Sequence, residues 1–237
     1  MVERGALDDA MLERLSNAVT ALDPKPRAQR WVSLAFCIAD AVWSIGAHYD
    51  KVVVPLVRKR IAKEFGVDQP TAPADGFRAK DPLKLEDLEA LGLDRLTVLT
   101  NLQRTSTRGG ILKADAVLRH CRIFREHGVE TLEQAIDLMT HQDRFSKLDD
   151  GLRSIPGEGG YGVRRGYLWM LIGNDDLIKP DRMVLHWLEQ HEVKTDPVGA
   201  REIIAALMPK VRVASNRPPT AWEIDHAIWL ATRKTKR

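Results

Sequence analysis

The chain has 237 residues, with 36 Lys+Arg against 33 Asp+Glu and a formal net charge of +3. That length fits one large domain or two small lobes at roughly 100–200 residues per domain, and 44% apolar with 29% charged residues argues against a mostly disordered chain. Two cysteines, Cys37 and Cys121, exclude a four-thiolate zinc or iron–sulfur site and a disulfide framework.

No apolar run approaches the roughly 18 residues of a membrane span, and the start MVERGALDDAMLER holds no signal-peptide core. A cytoplasmic protein without a membrane partner is expected, and its small positive charge permits a polyanion without demanding one. Helical periodicity dominates from the start. Residues 7–22 place Leu7, Met11, Leu15, Val19 and Leu22 on one stripe, until Asp23-Pro24-Lys25-Pro26 breaks the pattern. Helices are predicted next at 28–45 and 50–65, the second with Pro55 near its first turn. Residues 66–83, with Pro70, Pro73, Gly76 and Pro82, read as a loop. Further helices are predicted at 85–91, 94–102, 111–127, 131–140, 142–154, 162–172, 181–191, 197–208 and 220–234. Asp94 and Thr131 are candidate amino-terminal caps, and Gly128 a carboxy-terminal one. No stretch alternates with a period of two, so the fold class is all-α.

Two glycine-bearing turns suit anions. Residues 103–113, QRTSTRGGILK, bring Arg104, Arg108 and Lys113 together with three hydroxyls ahead of a helix. An ordinary capped loop is the competing reading. Near residue 155 a helix ends, and Pro156-Gly157-Glu158-Gly159-Gly160 turns into an apolar-faced helix near Gly162. Glycines there allow positive φ and close approach, so that amides at the helix start can face a phosphate oxygen. Arg164 and Arg165 follow directly. Arg58-Lys59-Arg60 reads as a solvated helix face. The tail from Arg233 reads as frayed, adding charge without specificity.

The stretch 148–187, with Ile155-Pro156-Gly157-Glu158-Gly159 and Asp181 in Ile178-Lys179-Pro180-Asp181-Arg182, resembles the helix–hairpin–helix DNA glycosylase superfamily. That family contains endonuclease III and the adenine and thymine mismatch glycosylases. The resemblance implies a two-lobed fold of about ten helices. Residues 85–160 would form an inner lobe ending at the hairpin, and 1–65 with 161–237 the other. It further implies duplex DNA as partner, hairpin contacts at Gly157, Gly159 and Gly160, and Asp181 as the catalytic carboxylate opening a helix. Tyr161 stands where strand-cleaving members carry lysine, as in some mismatch-specific members, which implies a monofunctional hydrolase. Trp43, in LAFCIADAVWSIGAHYDKV, falls near the position that enters the gap left by an extruded base. No iron–sulfur cluster is implied, and an alkali-metal ion at the hairpin is compatible with the family pattern.

The match departs from the family in three places. Tyr161 to Asp181 is an interval of 20 residues, slightly longer than usual. Gly162-Val163 replaces a Thr-Ala pair. Glu158 puts a carboxylate where the hairpin has an apolar residue, a solvent-facing position being its plain reading. Asp181 as a simple helix cap is the plain reading beside the catalytic one. Trp169, Trp187, Trp222 and Trp229 read as core; Asp175 and Asp176 read as solvated loop carboxylates. His120 and Cys121 are helical neighbours that do not face each other as a nucleophile pair would. Two functions follow: a monofunctional glycosylase removing a damaged or mismatched base, or a module that binds DNA or another ligand on the same fold without excision.

Overall fold

A computed structural model describes residues 8–213 and 217–234. It is mostly helical, with α1 Asp9–Ala21, β1 Gln29–Trp31, α2 Leu34–Trp43, α3 Ala62–Glu64, β2 Thr71–Pro73, α4 Leu85–Ala90, α5 Gly92–Leu99, α6 Lys113–Glu126, α7 Leu132–Leu138, α8 Gln142–Arg153, α9 Val163–Ile172, α10 Arg182–Gln190, α11 Pro197–Leu207 and α12 Ala221–Lys234. No described helix is long and apolar enough to cross a membrane.

The expected helix at 28–45 is a short strand followed by α2, and the expected loop at 66–83 contains β2. Arg30 pairs with Ala72 and Trp31 with Thr71, antiparallel. Three-residue strands are too short to show alternation, and their hydrogen bonds come from a segment distant in sequence. The helical run ahead of α3 is wide. Val54 N–H reaches the Tyr49 carbonyl and Ala62 N–H that of Val57, each five residues back. Pro55, lacking a donor, opens the second wide segment of this run, near the start of the expected helix. Thr131 caps α7, accepting from Gln134 N–H at 3.2 Å. Asp94 caps nothing, because α5 begins at Gly92 and Asp94 lies within its first turn. Leu7, expected in the first helix, and residues 235–237 of the tail lie outside the described residues.

The chain divides into two compact units, Met1–Arg27 with Asp175–Arg237, and Ala28–Asn174. These boundaries differ from the expected lobes, since residues 28–65 group with the segment that ends in the hairpin. In the first unit, α1, α10, α11 and α12 close around Leu15, Val19, Leu188, Ile204, Leu207 and Ile228. Trp187 joins this core, but Trp222 and Trp229 do not. They are half-buried in a ladder on α12, where Arg27 lies 4.1 Å over Trp222, His226 stacks between the two indoles, and Arg233 lies 4.3 Å over Trp229. Asp175 is likewise no free loop carboxylate, for it pairs with Arg27 at 2.7 Å.

In the second unit every residue of α2 is buried, and α6 and α9 pack against it. Its apolar run reads the same on all sides, as a central helix should. Asp40 is the one carboxylate on α2. It accepts from Trp31 Nε1 at 2.9 Å, Ser44 Oγ at 2.8 Å, Tyr49 OH at 2.8 Å and Tyr167 OH at 3.1 Å. Four donors on one carboxylate satisfy its lone pairs, which makes burial tolerable.

Candidate nucleic-acid interface

α8 ends at Arg153, two residues before the expected end at Ile155. Glu158 N–H then turns back on the Ile155 carbonyl at 3.1 Å, and the chain enters α9 through Gly162. Gly157 has φ +102°, and a Cβ there would collide with the Thr105 side chain. A Cβ on Gly159 or Gly160 would meet nothing within 4 Å, so this part of the turn is open.

The second anion-suited segment lies against the first. Residues 103–112 close on themselves through Thr105 N–H to the Ile111 carbonyl at 2.8 Å and Lys113 N–H to the Gln103 carbonyl at 2.8 Å. Thr105 joins the loops. Its hydroxyl donates to the Pro156 carbonyl at 2.7 Å and accepts from Ile111 N–H at 3.2 Å. The Arg104 and Arg108 side chains are exposed on this loop, with Arg104 Nε steadied by the Gly110 carbonyl at 3.0 Å. Tyr161 is 55% exposed and Leu102 is 74% exposed. Sequence reasoning missed both Thr105 and Leu102. No local pattern marks a threonine that bridges loops fifty positions apart, whereas an apolar residue in a polar stretch was a readable signal for Leu102.

Three expected contact residues are enclosed instead. Lys113 is 1% exposed, and its ammonium donates to the Ile45 carbonyl at 2.6 Å, Gln103 Oε1 at 3.0 Å and the Trp43 carbonyl at 3.1 Å. It ties the end of α2 to the start of α6. Burial, aided by Arg164, pushes it down to about 8. Trp43 is fully buried, with its indole N–H 3.3 Å from Asn101 Oδ1. Arg165 is buried with Nε 3.1 Å from both Asp149 oxygens, and Asp149 also accepts from Trp169 Nε1 at 2.8 Å. These residues hold the unit together and do not face a ligand. Arg164 is half-buried under Gly157.

Glu158 is the largest departure from expectation. It is 6% exposed rather than solvent-facing, and points inward. Cys121 is also enclosed, and burial pushes its thiol up, away from nucleophile chemistry.

Asp181 belongs to the other unit. It caps α10, Oδ1 accepting from Met183 N–H at 2.7 Å, while Oδ2 lies 3.8 Å from Lys179 Nζ. Asp225 accepts from Lys179 N–H at 2.9 Å, and burial with the neighbouring Asp181 pushes it up to about 7. Among the described residues no three His, Cys, Asp or Glu side chains gather to hold a metal ion. The hairpin carbonyls of Ile155 and Pro156 already accept from Glu158 N–H and Thr105.

A family model described as a domain of unknown function, DUF8548, matches residues 8–233. No curated protein and no solved structure matches the chain.

Proposed function

The chain belongs to the DUF8548 family, and we propose that it binds duplex DNA through the glycine hairpin joined to the 103–112 loop. The observation that carries this reading is Thr105, which locks two anion-suited turns from distant parts of the sequence into one surface. The open space at Gly159 and Gly160 leaves room for a phosphate oxygen to approach the backbone. Arg104 and Arg108 add positive charge. Leu102 offers an exposed apolar group that can wedge between base steps in a distorted duplex. The location that goes with such a partner is the cytoplasm, on the nucleoid.

The test is fluorescence anisotropy of a labelled duplex across a salt series. Wild type should bind less tightly as salt rises, and Arg104→Ala with Arg108→Ala should weaken binding and reduce the salt slope by roughly 2. Salt-independent binding, or a double variant indistinguishable from wild type, would sink the reading.

Base excision is a second reading, favoured by one observation: Asp181 opens α10 with Oδ1 engaged in the cap and Oδ2 beside Lys179 Nζ at 3.8 Å. Such a carboxylate would stabilise the positive charge that develops on the sugar as the N-glycosidic bond breaks, or orient the attacking water. Tyr161 has no amine and forms no Schiff base, so the product would be an intact abasic strand. Asp181→Asn is a clean probe because asparagine also caps helices well. With a panel of lesion-bearing duplexes, wild type should yield strands that break only after alkali, and the variant should lose at least about a hundredfold in rate. Excision indifferent to the substitution would remove Asp181 from the chemistry; nicking without alkali would contradict hydrolysis.

A further inference from the structure

Beneath the hairpin lies a group of ionisable side chains that phosphate binding does not use. Glu158 Oε1 is 3.7 Å from His120 Nε2 on α6, and Glu158 Oε2 is enclosed without a hydrogen-bond partner among the described residues. His120 is buried as well, with Nδ1 2.7 Å from the Ala116 carbonyl oxygen. A carbonyl only accepts, so Nδ1 carries the hydrogen and Nε2 presents its lone pair to Glu158. An ionised carboxylate would set two acceptors against each other out of reach of water. A protonated one carries no charge and turns its hydrogen toward that lone pair.

The other groups facing Glu158 are Arg164 and Arg165 on α9 and Asp149 on α8. Arg165 pairs with Asp149, which offsets its charge and leaves Arg164 as the net cation; Nη1 of both arginines is enclosed without a hydrogen-bond partner among the described residues. One positive charge is thus set under the hairpin beside one removable proton.

We propose that the enclosed Glu158–His120 pair holds a single proton, carried on the Glu158 carboxyl, and that its release puts a negative charge under the hairpin and weakens its hold on a polyanion. The affinity half of this inference rests on the duplex-binding reading. Burial pushes Glu158 up to about 7 and His120 down to about 4, so the proton sits on the carboxyl below neutrality and leaves as pH rises through it. Linkage then requires duplex binding to take up protons near neutral pH. Lys113, pushed down to about 8, loses its charge at higher pH and acts in the same direction, so a substitution at Glu158 must separate the two.

Two measurements on the full chain decide it: a carbon-13 titration of the Glu158 carboxyl, and anisotropy with the labelled duplex from about pH 5.5 to about pH 8.5 for wild type and Glu158→Gln. The carboxyl should titrate near neutrality. Wild-type affinity should fall about threefold to tenfold between about pH 6 and pH 8, and Glu158→Gln should stay nearly flat until Lys113 titrates. A carboxyl titrating at the ordinary value of about 4.3, or the same pH profile in both proteins, would overturn the proposal. Absence of duplex binding at every pH would overturn the duplex reading and the affinity clause with it, while the carbon-13 titration, which needs no variant to fold, still decides the proton on the carboxyl.

Discussion

A lysine placed at the start of a helix beside a glycine-rich loop reads as an anion ligand, and Lys113 is the opposite. Its three donors go to two carbonyls and an amide oxygen inside the protein, and none is left for a phosphate. Lys113→Met keeps most of the stem volume but leaves those three acceptors unpaired. The expected loss is about 3 kcal/mol of stability, read by urea denaturation. A variant as stable as wild type would show that the acceptors find water. Arg165 and Trp43 carry the same lesson, since charge and aromaticity are properties of a residue while exposure belongs to its surroundings. Glu158 inverts it: the residue that looked unfavourable beside a phosphate is turned inward, where protonation reconciles it with the core.

At the scale of elements, caps are shared in ways a linear pattern does not announce. Asp81, at φ +43°, accepts from Leu34 N–H at 2.9 Å and from Leu132 N–H at 3.0 Å. One carboxylate thereby satisfies the first turns of both α2 and α7. Asp81→Gly keeps the backbone conformation and removes the carboxylate. It should cost about 2 kcal/mol, roughly one for each cap, with faster amide hydrogen exchange at both Leu34 and Leu132. Acceleration at one amide alone would contradict the shared cap. Thr105 plays the matching part for loops: its hydroxyl donates to Pro156, joining what α6, α7 and α8 separate along the chain, while accepting from Ile111 N–H within its own loop. The hairpin carries its phosphate-facing reading only together with that partner.

Across the whole molecule the net charge of +3 bears on how such a surface would bind. Residues 151–237 hold 14 basic and 10 acidic side chains, and residues 1–150 hold 22 and 23, so the small excess lies in the half that contains the hairpin. With Lys113 and Arg165 turned inward, few cations remain to meet phosphates. A contact of about three phosphates gives a salt slope of roughly −3, far from the roughly −10 of a broad cationic surface. The salt series proposed above should therefore return a shallow slope that falls toward −1 when Arg104 and Arg108 are removed.

Helix type and approximate extent were legible in the sequence because they depend on local periodicity and on caps within a turn of their helix, as at Thr131 and Asp181. The turn at Pro156–Gly160 was legible for the same reason, since proline and glycine limit or free the backbone where they stand. The strand pair of β1 and β2, the wide helix around Pro55, the union of the two loops through Thr105 and the enclosure of Lys113, Arg165, Trp43 and Glu158 were not. Each depends on which distant segment supplies a partner or excludes water. Local sequence determined where the chain turns and which residues carry charge; only the packing decided which of those charges face outward and which must be answered from within.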